Sequence, residues 1–138
     1  MATVPLLDDA AAAPQAAAVF ADIRATRNSD FINNFWRALA NDPALLAATW
    51  ERLKAVMAPG ALDPLTKELI YVAVSTVNGC GYCIHSHTAA ARAKGMTDAQ
   101  HGELLAVVAM AAQTNALAAA LAVPVDARFD AAAPLPPT

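Results

Sequence analysis

Charge is scarce in this 138-residue sequence, in which Asp, Glu, Lys and Arg together make up 15% of the residues. The formal net charge is −3, and the basic residues form no block or stripe. Nucleic-acid-binding domains normally carry a positive footprint, so we expect no nucleic-acid partner. The N-terminus has two aspartates and neither a basic start nor a leucine-rich core. We therefore expect no signal peptide and a cytoplasmic location.

Cysteine is scarcer still, with only Cys80 and Cys83 in the whole chain. Small secreted domains are usually held together by several disulfides, whereas a single C-x-x-C pair points to redox chemistry or metal binding. A two-residue alternation of apolar and polar side chains does not recur along the sequence. That absence argues against a thioredoxin-like β/α fold.

Hydrophobic residues, by contrast, make up 57% of the chain, and many of them are alanine, which favours helix. Asp42–Pro43 and Asp63–Pro64 each place an N-cap before a proline at the first helical position. The sequence therefore predicts an all-α fold. Its expected helices run from Pro14 to about Arg27, from a cap at Ser29 or Asp30 through Leu39, from Pro43 to the Pro59–Gly60 break, from Pro64 to about Val77, from about Cys80 to Lys94, and from Thr97 to about Leu121.

We expect residues 1–138 to form a single domain, with an ordered core over about 14–129 and loosely ordered tails at 1–13 and 130–138. Residues 104–125 carry no charge and are long enough to cross a bilayer. However, Gln113, Thr114 and Asn115 lie in the middle of this segment, where polar groups are costly in lipid. We therefore expect no membrane span but a helix buried in a core or at a subunit interface, and hence a homo-oligomer.

The reactive side chains are concentrated between Glu68 and His87. Cys80 and Cys83 lie three residues apart, so on a helix they share a face and can form a disulfide across its first turn. His87 follows Cys83 by four residues on the same face. The helix N-terminus stabilises a thiolate, and the imidazole can accept the proton of Cys83.

Glu68 belongs to an otherwise apolar stripe of the fourth helix, so its carboxylate is predicted to face the interior. The break at Asn78–Gly79 makes the fourth and fifth helices a hairpin. Glu68 lies about 15 Å before that turn and His87 about 12 Å after it, at 1.5 Å per residue. The two side chains can therefore meet and form a Glu–His–Cys relay.

Other interpretations of these residues stay open. Glu68 could pair with an Arg or Lys, and His87 could be a satisfied core residue. Cys80, Cys83, His85 and His87 could also suggest zinc. However, His85 points away from the other three, and ligands on one continuous helix cannot surround a tetrahedral ion. We therefore expect no metal, and we expect His101 to be a solvated helix residue.

The pattern E-x11-C-x2-C-x3-H resembles the carboxymuconolactone decarboxylase superfamily and, within it, the AhpD-like alkylhydroperoxidases. It is written here as Glu68, Cys80, Cys83 and His87. The lead-in G-A-L-D-P-x-x-K-E-L-I and the later N-A-L-A-A-A-L-A-V-P-V-D also match. The likeness is loose over about residues 20–129 and tight over 60–96.

The resemblance implies an AhpD-like helical bundle with the C-x-x-C at the N-terminus of a central helix, assembled as trimers or hexamers and without a cofactor. It implies a peroxidase in which Cys83 attacks the peroxide and Cys80 resolves the sulfenic acid. An external dithiol, carried in the best-known member by a lipoyl-bearing protein, would restore the thiols. Tyr82 stands where the best-known member has a histidine that assists the relay, so we assign it a possible accessory role.

Two other functions stay open. One is a lactone-processing or decarboxylase activity of the same superfamily, although members with that activity generally do not need a C-x-x-C pair. The other is a non-catalytic redox sensor or oligomeric interaction protein, in which the disulfide would switch a surface.

Overall fold

The structure, a computed structural model, describes residues 1–129. These residues form six α-helices and one short 3₁₀ turn, and they contain no strand, so the all-α prediction is confirmed. The helices are α1 (Pro14–Arg27), α2 (Asn34–Leu39), α3 (Pro43–Met57), α4 (Pro64–Val77), α5 (Gly81–Ala93) and α6 (Asp98–Ala120), with the 3₁₀ turn at Ala127–Phe129. The predicted C-terminal tail at 130–138 lies outside the described residues.

The helix starts follow the predicted caps. The Asp42 and Asp63 carboxylates accept the backbone N–H of the residue three positions on, and each is followed by proline. Thr97 and Gln100 bond to each other's backbone in both directions of a capping box, which begins α6. These caps satisfy N–H groups that a helix leaves without an internal partner.

The predicted start of the second helix is wrong. We expected Ser29 or Asp30 to cap it, but α2 begins at Asn34. Asn28 ends α1 in the left-handed conformation, with φ of 49°. The hydroxyl of Ser29 then accepts the backbone N–H of Phe31, which holds a turn instead of capping a helix.

Contacts divide the chain into two compact units, of which the first is Met1–Gly60. Its core is a cluster of apolar side chains centred on Phe20, Ile23 and Leu46, with Trp36 and Trp50 edge to face. The segment before α1, expected to be loosely ordered, makes specific hydrogen bonds. The guanidinium group of Arg37 donates to two backbone carbonyls of this segment, and the amide of Asn41 donates to a third.

The second unit begins at Ala61 and packs α4 against both α5 and α6. Between α4 and α5 the chain reverses at Gly79, whose φ of +67° is one that a residue with a side chain rarely adopts. The backbone N–H of Cys80 then donates to the carbonyl of Ser75 at 3.0 Å. This turn sets Cys80 as the N-cap of α5. A single domain over the whole chain stays a prediction.

Helix α6 is the longest element, and none of its residues is buried. Within residues 1–129 it is the one helix long and apolar enough to cross a membrane, by length and composition. The expectation that it is buried in the core of its own chain is therefore wrong, because α4 covers only part of it. The other expectation, burial at a subunit interface, stays a prediction.

Candidate active site

The α4–α5 hairpin brings the four predicted site residues into one unit. Cys80 and Cys83 begin α5, are partly buried and have their sulfur atoms within disulfide distance. Their Cα atoms lie 5.3 Å apart, a usual separation for a disulfide. The sulfur of Cys80 also accepts the backbone N–H of Cys83 at 3.3 Å. The helix therefore directs an N–H donor at the cysteine pair.

The predicted contact between Glu68 and His87 is present. Glu68 is 5% exposed, and its Oε2 lies 2.7 Å from Nδ1 of His87. An ionised carboxylate only accepts hydrogen bonds, so Nδ1 must carry a hydrogen. In the neutral imidazole this leaves Nε2 as the acceptor, and His87 stands one helical turn after Cys83. The arrangement therefore provides a base whose tautomer is fixed by Glu68.

Lys94 is a partner of Glu68 that the sequence analysis did not identify. Its Nζ lies 2.8 Å from Oε1, the carboxylate oxygen that His87 does not use. Both interpretations of Glu68 are therefore correct, because its carboxylate pairs with a lysine and with a histidine at once. The spacing in the sequence indicates only that the two residues share a face of α5, because Lys94 follows His87 by seven residues.

Burial raises the pKa of Glu68, but hydrogen bonds from His87 and Lys94 outweigh this effect and hold the pKa below its ordinary value. The positive charge of Lys94 acts in the same direction. Glu68 is therefore ionised at neutral pH. A buried carboxylate with a hydrogen-bonding partner on each oxygen can hold the imidazole in one orientation.

Tyr71 is a second residue that the sequence analysis missed. Its ring stacks on His87 with 3.6 Å between ring centroids and 16° between the planes. Tyr71 follows Glu68 by three residues on α4, so it reaches the same face of the hairpin. Glu68 holds one edge of the imidazole and Tyr71 covers one face, so the two contacts restrict both the position and the tilt of the ring.

Two of the remaining candidates differ from the site residues in their exposure. Tyr82 is 45% exposed and His85 is also exposed, both on α5. His101, expected to be solvated, is partly buried on α6. Over residues 1–129, no three His, Cys, Asp or Glu side chains form a group that could hold a metal ion.

The paired state of Glu68 predicts acid sensitivity. Because its pKa in the folded protein lies below the ordinary value of 4.5, the ionised group stabilises the fold above that pH. This stabilisation is lost as the pH falls through the folded-state pKa. We expect the free energy of unfolding, measured with urea from pH 7 to pH 3, to fall more steeply in the wild type than in Glu68→Gln. Parallel curves for the two proteins would contradict this assignment.

The protein is all-helical and has a cysteine pair within disulfide distance at a helix N-terminus. The same hairpin holds the buried Glu68 against His87. These features define a helical C-x-x-C protein. The model of the carboxymuconolactone decarboxylase family matches residues 43–126. The chain belongs to this family, and to its AhpD-like branch.

Its similarity to a solved structure is extensive. It is 67% identical to the crystallised alkylhydroperoxidase AhpD core from Rhodospirillum rubrum, covering 94% of this chain and 97% of that one, with a TM-score of 0.90. It is also 45% identical to the alkyl hydroperoxide reductase AhpD of Maricaulis maris over 51% of this chain, but only 39% of that relative. An uncharacterised protein of the cox locus in Paracoccus denitrificans is 42% identical over 64% of this chain and 78% of its own length.

Proposed function

We propose that the protein is a thiol-dependent peroxidase of the alkylhydroperoxidase type, working through a Cys80/Cys83 dithiol–disulfide cycle. One observation carries this proposal: the cysteine pair begins the same helix on which His87 is held by the buried carboxylate of Glu68. The similarity to the crystallised AhpD core supports it. We also propose a cytoplasmic location, where a dithiol can stay reduced.

In the proposed first half-reaction, Nε2 of His87 accepts the proton of the Cys83 thiol. The thiolate attacks the terminal peroxide oxygen, the O–O bond breaks, and Cys83 becomes a sulfenic acid. His87 returns the proton to the departing alkoxide, so the products are the sulfenic acid and an alcohol. The sulfur is thereby oxidised by two electrons and the peroxide reduced by two.

In the second half-reaction the thiol of Cys80 attacks the sulfur of the sulfenic acid. A disulfide forms, and the hydroxyl of the sulfenic acid leaves as water with the thiol proton. The 5.3 Å between the two Cα atoms allows this bond. An external dithiol, such as one on a lipoyl-bearing protein, would then reduce the disulfide by thiol–disulfide exchange. Tyr82, exposed in the first turn of α5, is the proposed accessory group.

The direct test is steady-state turnover with a panel of peroxides and dihydrolipoamide as the reductant. A peroxidase turns over many times, whereas a redox sensor consumes one equivalent of peroxide and stops. If the reduced protein consumes no peroxide at all but transforms a lactone substrate, the proposal is wrong and the decarboxylase alternative is favoured.

We further propose that the protein works as a homo-oligomer, a trimer or a hexamer. Large apolar side chains on α6 remain exposed in the single chain, among them Leu105, Val107, Met110 and Leu117. An exposed apolar helix of this length is a typical interaction surface, and small alanine side chains allow helices to approach closely. We expect sedimentation at micromolar concentration to show a species of at least three chains. A single species near 14.3 kDa would contradict this prediction.

A further inference from the structure

Lys94 occupies the far side of the carboxylate that holds His87. Its ammonium nitrogen lies 2.8 Å from Oε1 of Glu68, and Nδ1 of His87 lies 2.7 Å from Oε2. Glu68 is almost fully buried, so both oxygens have their partners inside the protein. A buried carboxylate with the histidine alone could rotate and exchange its oxygens. The lysine fixes which oxygen faces the ring.

Both partners of Glu68 come from one helix. Lys94 is the C-cap residue of α5, and its backbone N–H donates to the carbonyls of the last turn. His87 lies two turns earlier on the same face. Glu68 on α4 therefore spans two fixed points on α5. This arrangement holds the cation at a constant position relative to the imidazole.

We propose that Lys94 is a positioning residue that opposes protonation of His87 through their shared partner Glu68, and so keeps the imidazole available as a base for Cys83. The proposal rests on the proposed function above. A carboxylate by itself favours the imidazolium, because opposite charges attract. A lysine on the other oxygen offsets part of that charge. The lysine therefore weakens the attraction between the carboxylate and a protonated imidazole.

Lys94 is a cation hydrogen-bonded to Glu68. Beside Glu68, the titratable side chains of α4 are Lys67, which adjoins Glu68 in sequence, and Tyr71, whose ring stacks on His87. Helix α6, which also packs on α4, carries three titratable side chains, Asp98, His101 and Glu103. In the described part of the chain, none of these three forms a hydrogen bond or ion pair with Glu68 or His87. The charges that act on Glu68 are those of Lys94 and His87.

The test is an NMR titration of the His87 ring, which requires no catalytic turnover. The His87 signal is assigned by its loss in His87→Gln. We expect Lys94→Met, which keeps most of the side-chain length and removes the charge, to move the titration midpoint to higher pH by about half a unit. The shift is modest because the lysine side chain is 39% exposed and partly screened by solvent. Lys94→Gln is measured alongside, so that the result does not depend on one variant folding.

Two further variants separate this role from a general effect of charge or stability. Lys94→Arg keeps the cation and should restore the wild-type midpoint. Arg92→Gln removes a cation from the same helix whose ion-pair partner is Asp98, and should leave the midpoint unchanged. Loss of stability with an unchanged midpoint in Lys94→Met would overturn the proposal, as would an equal shift in Arg92→Gln. A protein that reduces no peroxide but shows the expected shift would refute the proposed function, and with it the role of the imidazole as a base for Cys83, while the effect of Lys94 on the protonation of His87 would stand.

Discussion

Cys83→Ser is expected to consume no peroxide above the uncatalysed background, whereas Cys80→Ser should consume one equivalent and then stop. The reason is the geometry of α5, in which Cys83 stands one turn before His87 and Cys80 forms the N-cap. Removing Cys83 removes the proposed nucleophile. Removing Cys80 leaves the nucleophile and its base in place but takes away the thiol that converts the sulfenic acid into a disulfide.

Stopped-flow mixing of the reduced variants with a peroxide measures both results, and mass spectrometry after trapping with a sulfenic-acid reagent locates the oxidised sulfur. His85→Gln is the matched control, because His85 lies on the same helix and is exposed. It should react like the wild type. If Cys80→Ser blocked the first oxidation while Cys83→Ser did not, the roles of the two cysteines would be reversed.

The hydrogen bond between the cysteines bears on the second half of the cycle. The sulfur of Cys80 accepts the backbone N–H of Cys83. In the proposed cycle an external thiol attacks the sulfur of Cys83 and Cys80 leaves as a thiolate, whose charge an N–H directed at it would stabilise. The same helix N-terminus would then assist both the oxidation of one cysteine and the release of the other.

Helix starts and the hairpin at the site were predictable because their causes are local. An aspartate followed by proline, or a threonine with glutamine three positions on, provides its hydrogen bonds within one turn. The meeting of Glu68 with His87 followed from similar distances along two helices joined by a tight turn. Family resemblance added the order of the two cysteines in the proposed cycle, which helical spacing did not provide.

Features that depend on the reach of a long side chain, or on which of two hydrogen-bond partners a side chain takes, were not predicted. Lys94 lies at the end of α5, and only the packed hairpin shows that its flexible side chain reaches back to Glu68. Ser29 has a residue type that favours helix caps, but its hydroxyl bonds to Phe31 in a turn instead. The exposure of α6 could not be read from its composition, because an apolar helix can be covered by its own chain or by another.

Glu68→Gln should lower the rate of peroxide reduction by about 10² or more, in the range expected when general acid–base assistance is lost. The substitution keeps the shape of the side chain and an oxygen that can accept the Nδ1–H of His87. It removes the negative charge that stabilises the imidazolium, which forms when His87 takes the proton of Cys83. We expect kcat to fall and KM to change little, because Glu68 is buried and, in the proposed relay, acts through His87.

Glu103→Gln makes the same chemical change at an exposed position on α6 and should leave the rate unchanged. Glu68 also pairs with Lys94, so the substitution can lower the stability of the fold. Urea unfolding of Glu68→Gln and of the wild type at neutral pH measures this loss and separates it from an effect on the rate. A stable Glu68→Gln protein with the wild-type rate would reduce the carboxylate to a structural ion pair. In that case the hydrogen bond from Nδ1, which glutamine can also accept, and the stacking on Tyr71 would be enough to orient His87, and the relay would begin at the imidazole.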